Sequence, residues 1–156
     1  MALEIERKFL LASDDWRKSV NETRHIRQGY LCNDERASLR VRIVDDEKAY
    51  LTIKSGKAAI SRDEYEYAIP LEDGEELIAK CAGRLIEKTR HIIRHGHLAW
   101  EIDVFEDRNA GLVVAEIELD HPDQEFEHPE WLGEEVTGDG RYTNASLSQH
   151  PYHDWT

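Results

Sequence analysis

Glu4-Ile5-Glu6-Arg7-Lys8 sits inside the turn-free stretch Leu3-Glu4-Ile5-Glu6-Arg7-Lys8-Phe9-Leu10-Leu11, and its reading governs the rest of the chain. Side chains two apart on a strand share a face. As a strand, this stretch puts Glu4, Glu6 and Lys8 on one face, and Leu3, Ile5, Phe9 and Leu11 on the other. Two carboxylates about 7 Å apart on one face repel each other unless a cation sits between them. Taken alone, the strand could simply have one wet face.

The pattern recurs. Arg40 and Arg42 flank Val41, Lys54 follows Thr52 across Ile53, and Glu64 and Glu66 flank Tyr65. Lys88 and Arg90 flank Thr89, Glu101 and Asp103 flank Ile102, and Glu116 and Glu118 flank Ile117. Alternate positions are mostly apolar, as in Leu39, Val41 and Ile43, or Trp100, Ile102 and Val104; Glu87, Thr89 and His91 are the exception. A solvated sheet face mixes signs, because like charges on neighbouring sites destabilise it. Here each pair keeps one sign, apart from Lys8. Together with Glu4 and Glu6 these are eight acids and six bases. So many charges cannot be buried dry; they need water, metal and a polyanion. Oxygen ligands without His or Cys suit Mg²⁺ or Mn²⁺. Arg forks and Lys point charges suit phosphate oxygens.

The implied fold is α+β but mainly β. It is an eight-stranded antiparallel closed barrel with a charged interior and a few peripheral helices. Strands are expected at residues 3–11, 23–32, 37–44, 49–54, 62–69, 84–94, 98–105 and 112–119. Short helices are expected at Ser13–Lys18, from Asp73, at Pro129–Gly133 and at Asn144–Ser148. Ser55-Gly56-Lys57 reads as a loop, and Pro151–Thr156 as a loose tail. Residues 1–156 form one domain, with a C-terminal helical segment at about 128–150.

Composition narrows the function further. Twenty Lys plus Arg against 33 Asp plus Glu give a net charge of −13, which disfavours nucleic acid and anionic membrane as partners. No apolar run is long enough to span a membrane, and no signal peptide is evident. Cys32 and Cys81 lack metal-type spacing and fit free thiols in a reducing cytoplasm. The eight His, including His95, His97, His150 and His153, show no zinc-site spacing with Cys and read as surface residues. Cys32 reads as a half-buried thiol. Trp16, Trp100 and Trp131 read as packing residues. An apolar outer wall with little helix to cover it makes a homodimer plausible.

Glu4-Ile5-Glu6-Arg7-Lys8 resembles the Glu-x-Glu-x-Lys signature of the CYTH domain, or triphosphate tunnel metalloenzyme, family. With the later charge pairs in order, and Arg141-Tyr142-Thr143-Asn144 ahead of a helix, the resemblance covers almost the whole chain. It implies an eight-stranded tunnel and metal-dependent hydrolysis or cyclisation of triphosphates. The short bacterial members that the chain resembles are inorganic tripolyphosphatases. The resemblance makes Glu4, Glu6, Glu116 and Glu118 metal ligands, with Glu64, Glu66, Glu101 and Asp103 as further ligands or holders of metal-bound water. It makes Lys8, Arg40, Arg42, Lys54, Lys88 and Arg90 phosphate-binding, and gives Lys8, Tyr30 and Lys88 catalytic roles; Tyr30 could also be a packed strand aromatic. The helix near Asn144 resembles an element that can plug one tunnel mouth. A nucleoside or thiamine triphosphatase is the nearest alternative. Adenylate cyclases of the family carry a His-Phe pair upstream of the signature, which this chain has no room for. A noncatalytic polyphosphate- or nucleotide-binding module is the alternative from another class.

Overall fold

The computed structural model describes residues 2–55 and 61–155. Gly56 and Lys57 of the expected loop lie outside the described residues. The strands are β1 (Ala2–Leu11), β2 (Glu22–Asn33), β3 (Ala37–Val44), β4 (Lys48–Ser55), β5 (Ser61–Ile69), β6 (Ala82–His95), β7 (Leu98–Phe105), β8 (Val113–Glu118) and β9 (Leu132–Glu135). Two α-helices, α1 (Leu71–Ala79) and α2 (Asn144–Gln149), lie between β5 and β6 and near the C-terminus. The strands pair antiparallel in the order β5-β4-β3-β2-β6-β7-β8-β1-β9, and a further β5–β1 pairing closes a ring of eight. All eight expected strands are present.

The ninth strand replaces the helix expected at Pro129–Gly133. The β5 pairing covers β1 only from Ala2 to Ile5. Farther along the same edge, Phe9 and Leu11 find Glu135 and Leu132 of β9 instead. Gly133 permits the approach, since a Cβ there would lie 2.8 Å from the Leu10 carbonyl oxygen. Helix α1 starts at Leu71, not Asp73, because Pro70 caps it and the Gly74 amide donates to the Pro70 carbonyl. Gly74 lies inside this helix as a contact point: a Cβ there would meet the Ala49 Cβ at 2.5 Å. The segment expected as a helix at Ser13–Lys18 is a 3₁₀ turn over Asp15–Ser19 that buries Trp16.

The tail is not loose. Tyr152 N donates to Asn109 Oδ1 at 2.8 Å, His153 Nε2 lies 2.9 Å from the Ala110 carbonyl, and Trp155 Nε1 donates to the His150 carbonyl at 3.1 Å. Trp155 also packs edge-on against Tyr142 and Tyr152. Aromatic side chains supply a burial that the short polar sequence hides.

Apolar residues cluster in three places. Ile5, Phe9, Trp100, Ile102, Ala115 and Ile117 line the outer wall of β1, β7 and β8, under Trp16 and Trp131. Val41, Ile43 and Ala49 line the outer wall of β3 and β4, under Ile78 of α1. The third cluster is interior: Ile86, Phe105 and Val114 share the inward parity of Lys88, Asp103 and Glu116, and Leu147 of α2 packs among them. The interior is therefore not charged throughout. Among the described residues no helix is long and apolar enough to cross a membrane. Leu147→Ala should cost about 2–5 kcal/mol of stability, measured by urea unfolding, because its side chain is fully buried among Ile86, Phe105 and Val114.

Candidate active site

Strand register brings the charged side chains together. Lys8 lies opposite Glu116 and Glu6 opposite Glu118 across β1 and β8. Arg90 lies opposite Asp103, Glu101 opposite Glu116, and Lys54 opposite Glu64. The ring order sorts them by sign. The strands bearing basic pairs or Lys54 (β4, β3 and β6, with β2 between the last two) form one half of the wall. The strands bearing acidic pairs (β7, β8, β1 and β5) form the other.

The halves meet at two seams. At β6–β7, Lys88 Nζ is 2.7 Å from Asp103 Oδ2, and Arg90 Nε is 2.8 Å from Asp103 Oδ1 and Nη1 3.1 Å from Glu101 Oε2. At β4–β5, Lys54 Nζ is 3.9 Å from Glu64 and reaches on to Glu4 at 2.9 Å. Lys8 Nζ lies 3.5 Å from Glu116 Oε1. Arg40 Nη2 lies 3.9 Å from Glu66 Oε2, with Thr52 Oγ1 accepting from Arg40 and donating to Glu66. A cavity of about 540 Å³ opens beside this network. Glu6, Lys8, Tyr30, Arg40 and Lys54 line it, with residues of the 136–146 segment opposite. That segment touches the bases directly: Lys8 Nζ donates to the Tyr142 carbonyl and Lys88 Nζ to Asn144 Oδ1 at 3.0 Å.

The fourteen charged residues, those of the same-sign pairs with Lys8 and Lys54, hold the inward parity of their strands and face this interior or its rim. Glu66 and Glu118 are exposed, whereas Arg40, Lys88, Arg90, Asp103 and Glu116 are buried. Sequence reasoning did not assign Gln28 or Thr52, both buried and polar. The signal was available in part, since both hold the inward parity of their strands. Cys32 is exposed, not half-buried. Outside the barrel, His25 donates to or accepts from Glu87 at 2.6 Å and lies 3.9 Å from Glu106. The ligand atoms of these three lie within 4.8 Å of one another on partly exposed side chains, away from the charged interior. His25 is thus a partnered residue, not a plain surface one.

The electrostatics divide the site. Burial and the nearby Glu116 and Glu4 push the Glu6 carboxyl up to about 8. Burial also raises Glu4, helped by the hydrogen bond that its protonated form donates to Glu64, and raises Glu118, helped by Glu4 and Glu101. Burial opposes ionisation of Asp103, but Arg90 and Lys88 outweigh it and hold the carboxyl far below its ordinary range. Glu116 is likewise held low by Lys8, Arg90 and Lys88 against its burial. Lys88 shares Asp103 with Arg90, and burial, Arg90 and Arg42 bring it down to about 7 despite that partner. Burial, Arg40 and Arg90 bring Arg42 down to about 9.

A CYTH domain model matches residues 2–152. The chain belongs to the CYTH family. Two relatives match most of the chain. The inorganic triphosphatase of Acetivibrio thermocellus is 44% identical over 153 residues, covering 97% of each chain. The inorganic triphosphatase of Nitrosomonas europaea is 40% identical over 152 residues, covering 93% of this chain and 96% of its own. A crystal structure of an inorganic triphosphatase superimposes with a TM-score of 0.65 at 37% identity, covering 93% of this chain and 97% of its own. A Pyrococcus horikoshii protein shares the fold at 21% identity, with a TM-score of 0.61 over 77% of this chain and 81% of its own.

CYTH membership implies a divalent cation, and the acidic half-wall fits one. Its donors are all oxygen, and Glu4, Glu6 and Glu118 hold raised pKa values that a cation among them would relieve. Cation affinity, measured by calorimetry, should therefore rise as pH climbs to about 8 and level off above it, because a proton on Glu6 competes below that point. In cation-free protein the same shift should lower fold stability as pH rises from the ordinary carboxyl range to about 8. The unfolded chain releases that proton first and the folded chain keeps it. Asp103→Asn should cost about 3–5 kcal/mol in a denaturant titration, because it leaves buried Lys88 without its carboxylate and buried Arg90 with Glu101 alone.

Proposed function

We propose that this chain hydrolyses the terminal phosphoanhydride of inorganic tripolyphosphate, releasing pyrophosphate and phosphate, with Mg²⁺ or Mn²⁺. The observation that carries the reading is the sorting of interior charge into one acidic and one basic half of a closed wall. A linear polyanion carrying a cation on one side is complementary to both halves at once. Both relatives are inorganic triphosphatases, which points the same way.

In this reading Arg40, Arg42, Lys54, Lys88, Arg90 and Lys8 hold the phosphate oxygens. Glu4, Glu6, Glu116 and Glu118 hold the cation, and Glu64, Glu66 and Glu101 hold it or its water. Asp103 suits a different task, since both its oxygens are committed to Lys88 and Arg90. A bound divalent cation supplies charge neutralisation and a more acidic water. The chain's own groups do the rest. Water attacks the terminal phosphorus, the bond to the bridging oxygen breaks, and pyrophosphate leaves with the bonding pair. The water proton needs a base. Lys88, brought down to about 7, exchanges a proton readily near neutral pH, and Lys8 and Tyr30 complete the group at the reacting bond. Guanidinium groups take up the charge that builds on the oxygens in the transition state.

The same reading treats residues 1–156 as one domain in a reducing cytoplasm, where free Cys32 and Cys81 persist, with no nucleic-acid or membrane partner. Exposed Leu3, Tyr67 and Leu85 are outer-wall groups that a homodimer would cover.

Glu4→Ala and Glu6→Ala should each abolish metal-dependent phosphate release from tripolyphosphate while circular dichroism stays unchanged. ATP and thiamine triphosphate, assayed alongside, should turn over more slowly than tripolyphosphate. Undiminished turnover in either variant removes the assignment, and binding without release points to a noncatalytic module.

A further inference from the structure

Arg62 lines the cavity too, but the six basic side chains read as phosphate-binding are Lys8, Arg40, Arg42, Lys54, Lys88 and Arg90. Five of them, Lys8, Arg40, Lys54, Lys88 and Arg90, have a carboxylate within 4.0 Å. Arg42 has none among the described residues. Its Nε donates instead to Gln28 Oε1, at 2.7 Å. Gln28 lies directly opposite Arg42 across β2 and β3, and no part of it is exposed. Arginine only donates, so the amide oxygen must be the atom facing Nε. That fixes the other end: Gln28 Nε2 is a buried donor with no acceptor among the described residues.

The choice of a neutral partner has a physical effect. A carboxylate at position 28 would cancel the Arg42 charge. An apolar side chain would leave the guanidinium free to swing and its Nε unsatisfied. An amide fixes the fork and leaves the charge in place. Arg40 and Arg90 stand close enough to repel Arg42, so the surplus of positive charge is local. An anionic oxygen is the group that would relieve that surplus and accept from Nε2.

We propose that Gln28 is a positioning residue for the anionic substrate. Its carbonyl holds the Arg42 guanidinium in a fixed pose with its charge uncompensated, and its amide NH₂ donates to the phosphoryl group that Arg42 binds. The inference rests on the tripolyphosphate reading and adds to it a residue that carries no charge.

The test uses wild-type protein labelled with ¹⁵N on glutamine. The chain has three glutamines, Gln28, Gln124 and Gln149. Gln124→Glu and Gln149→Glu assign two of the side-chain amide pairs and leave the third to Gln28, so no variant at position 28 has to fold. Diimidotriphosphate, which resists hydrolysis, is added with Mg²⁺. The Gln28 NH₂ pair should shift on saturation, and Arg42→Met should remove that shift. In calorimetry Gln28→Glu should bind the analogue about tenfold or more weakly than wild type, which corresponds to at least about 1.4 kcal/mol. In turnover, KM for tripolyphosphate should rise by a larger factor than kcat falls, which general loosening of the fold would not produce. Wild-type binding that leaves the Gln28 pair unmoved overturns the inference and spares the tripolyphosphate reading. So does wild-type affinity in Gln28→Glu. Wild-type protein that binds no analogue overturns both.

Discussion

Asp103 holds a full negative charge in the wall with 1% of its surface exposed, and the rest of the interior is arranged around that fact. It is stable there because Lys88 and Arg90, both on β6, each reach one or both of its oxygens. The partners come from the adjacent strand, so the ion cluster also ties β6 to β7. A charge buried this way is costly without its partners, and it demands that every neighbour be matched or hydrated. Once one strand turns charged side chains inward, its apolar ones must turn outward. The outer wall then needs covering, which is what α1, the turn at Trp16 and the segment around Trp131 provide.

The interior charges largely neutralise one another. Lys54 clasps Glu4 and Lys8 approaches Glu116, so bases and acids occupy one another. A cation entering among the carboxylates and a polyanion entering among the bases would each release the partner of the other. The two ligands are therefore expected to assist one another through exchange of ion pairs, without any hinge or domain motion. Arg42 stands apart from this exchange because no carboxylate among the described residues lies within ion-pair distance of it. The raised Glu6 and the lowered Lys88 are the two ends of one field: acids crowded with acids, and a lysine crowded with guanidinium groups.

Much of this was legible in the sequence. Same-sign pairs at alternate positions forecast both the strands and the inversion of the barrel, because sign and period survive without coordinates. Nearly every charged residue of the candidate site was named that way. Other features were not legible, for particular reasons. Gln28 carries no charge, so it did not stand out among Glu and Arg at the same parity. Strand β9 has four residues, too few for a period, and follows a Pro-Glu-Trp stretch that resembles a helix start. Pro70 reads locally as a stop to β5, whereas it also opens α1. The tail is tied by ring packing to residues more than ten positions away, which local polarity cannot reveal. The gathering of the bases into one half of the wall also needed the ring order, since β6 joins β3 and β4 only through the long-range β2–β6 pairing.

Strand β1 precedes its partners in the chain, and those partners, β5, β8 and β9, lie at Ser61, Val113 and Leu132 and beyond. During synthesis the Glu6–Leu10 part of the strand must wait, without its β8 partner, until Val113–Glu118 has been made. Its alternating acids and bases make it a poor template for a stray strand in the meantime. Glu6 is thus made well before the Glu116 and Glu118 of β8 with which it forms the acidic wall. A nascent chain cut short before β8 would carry the signature motif without any binding hollow.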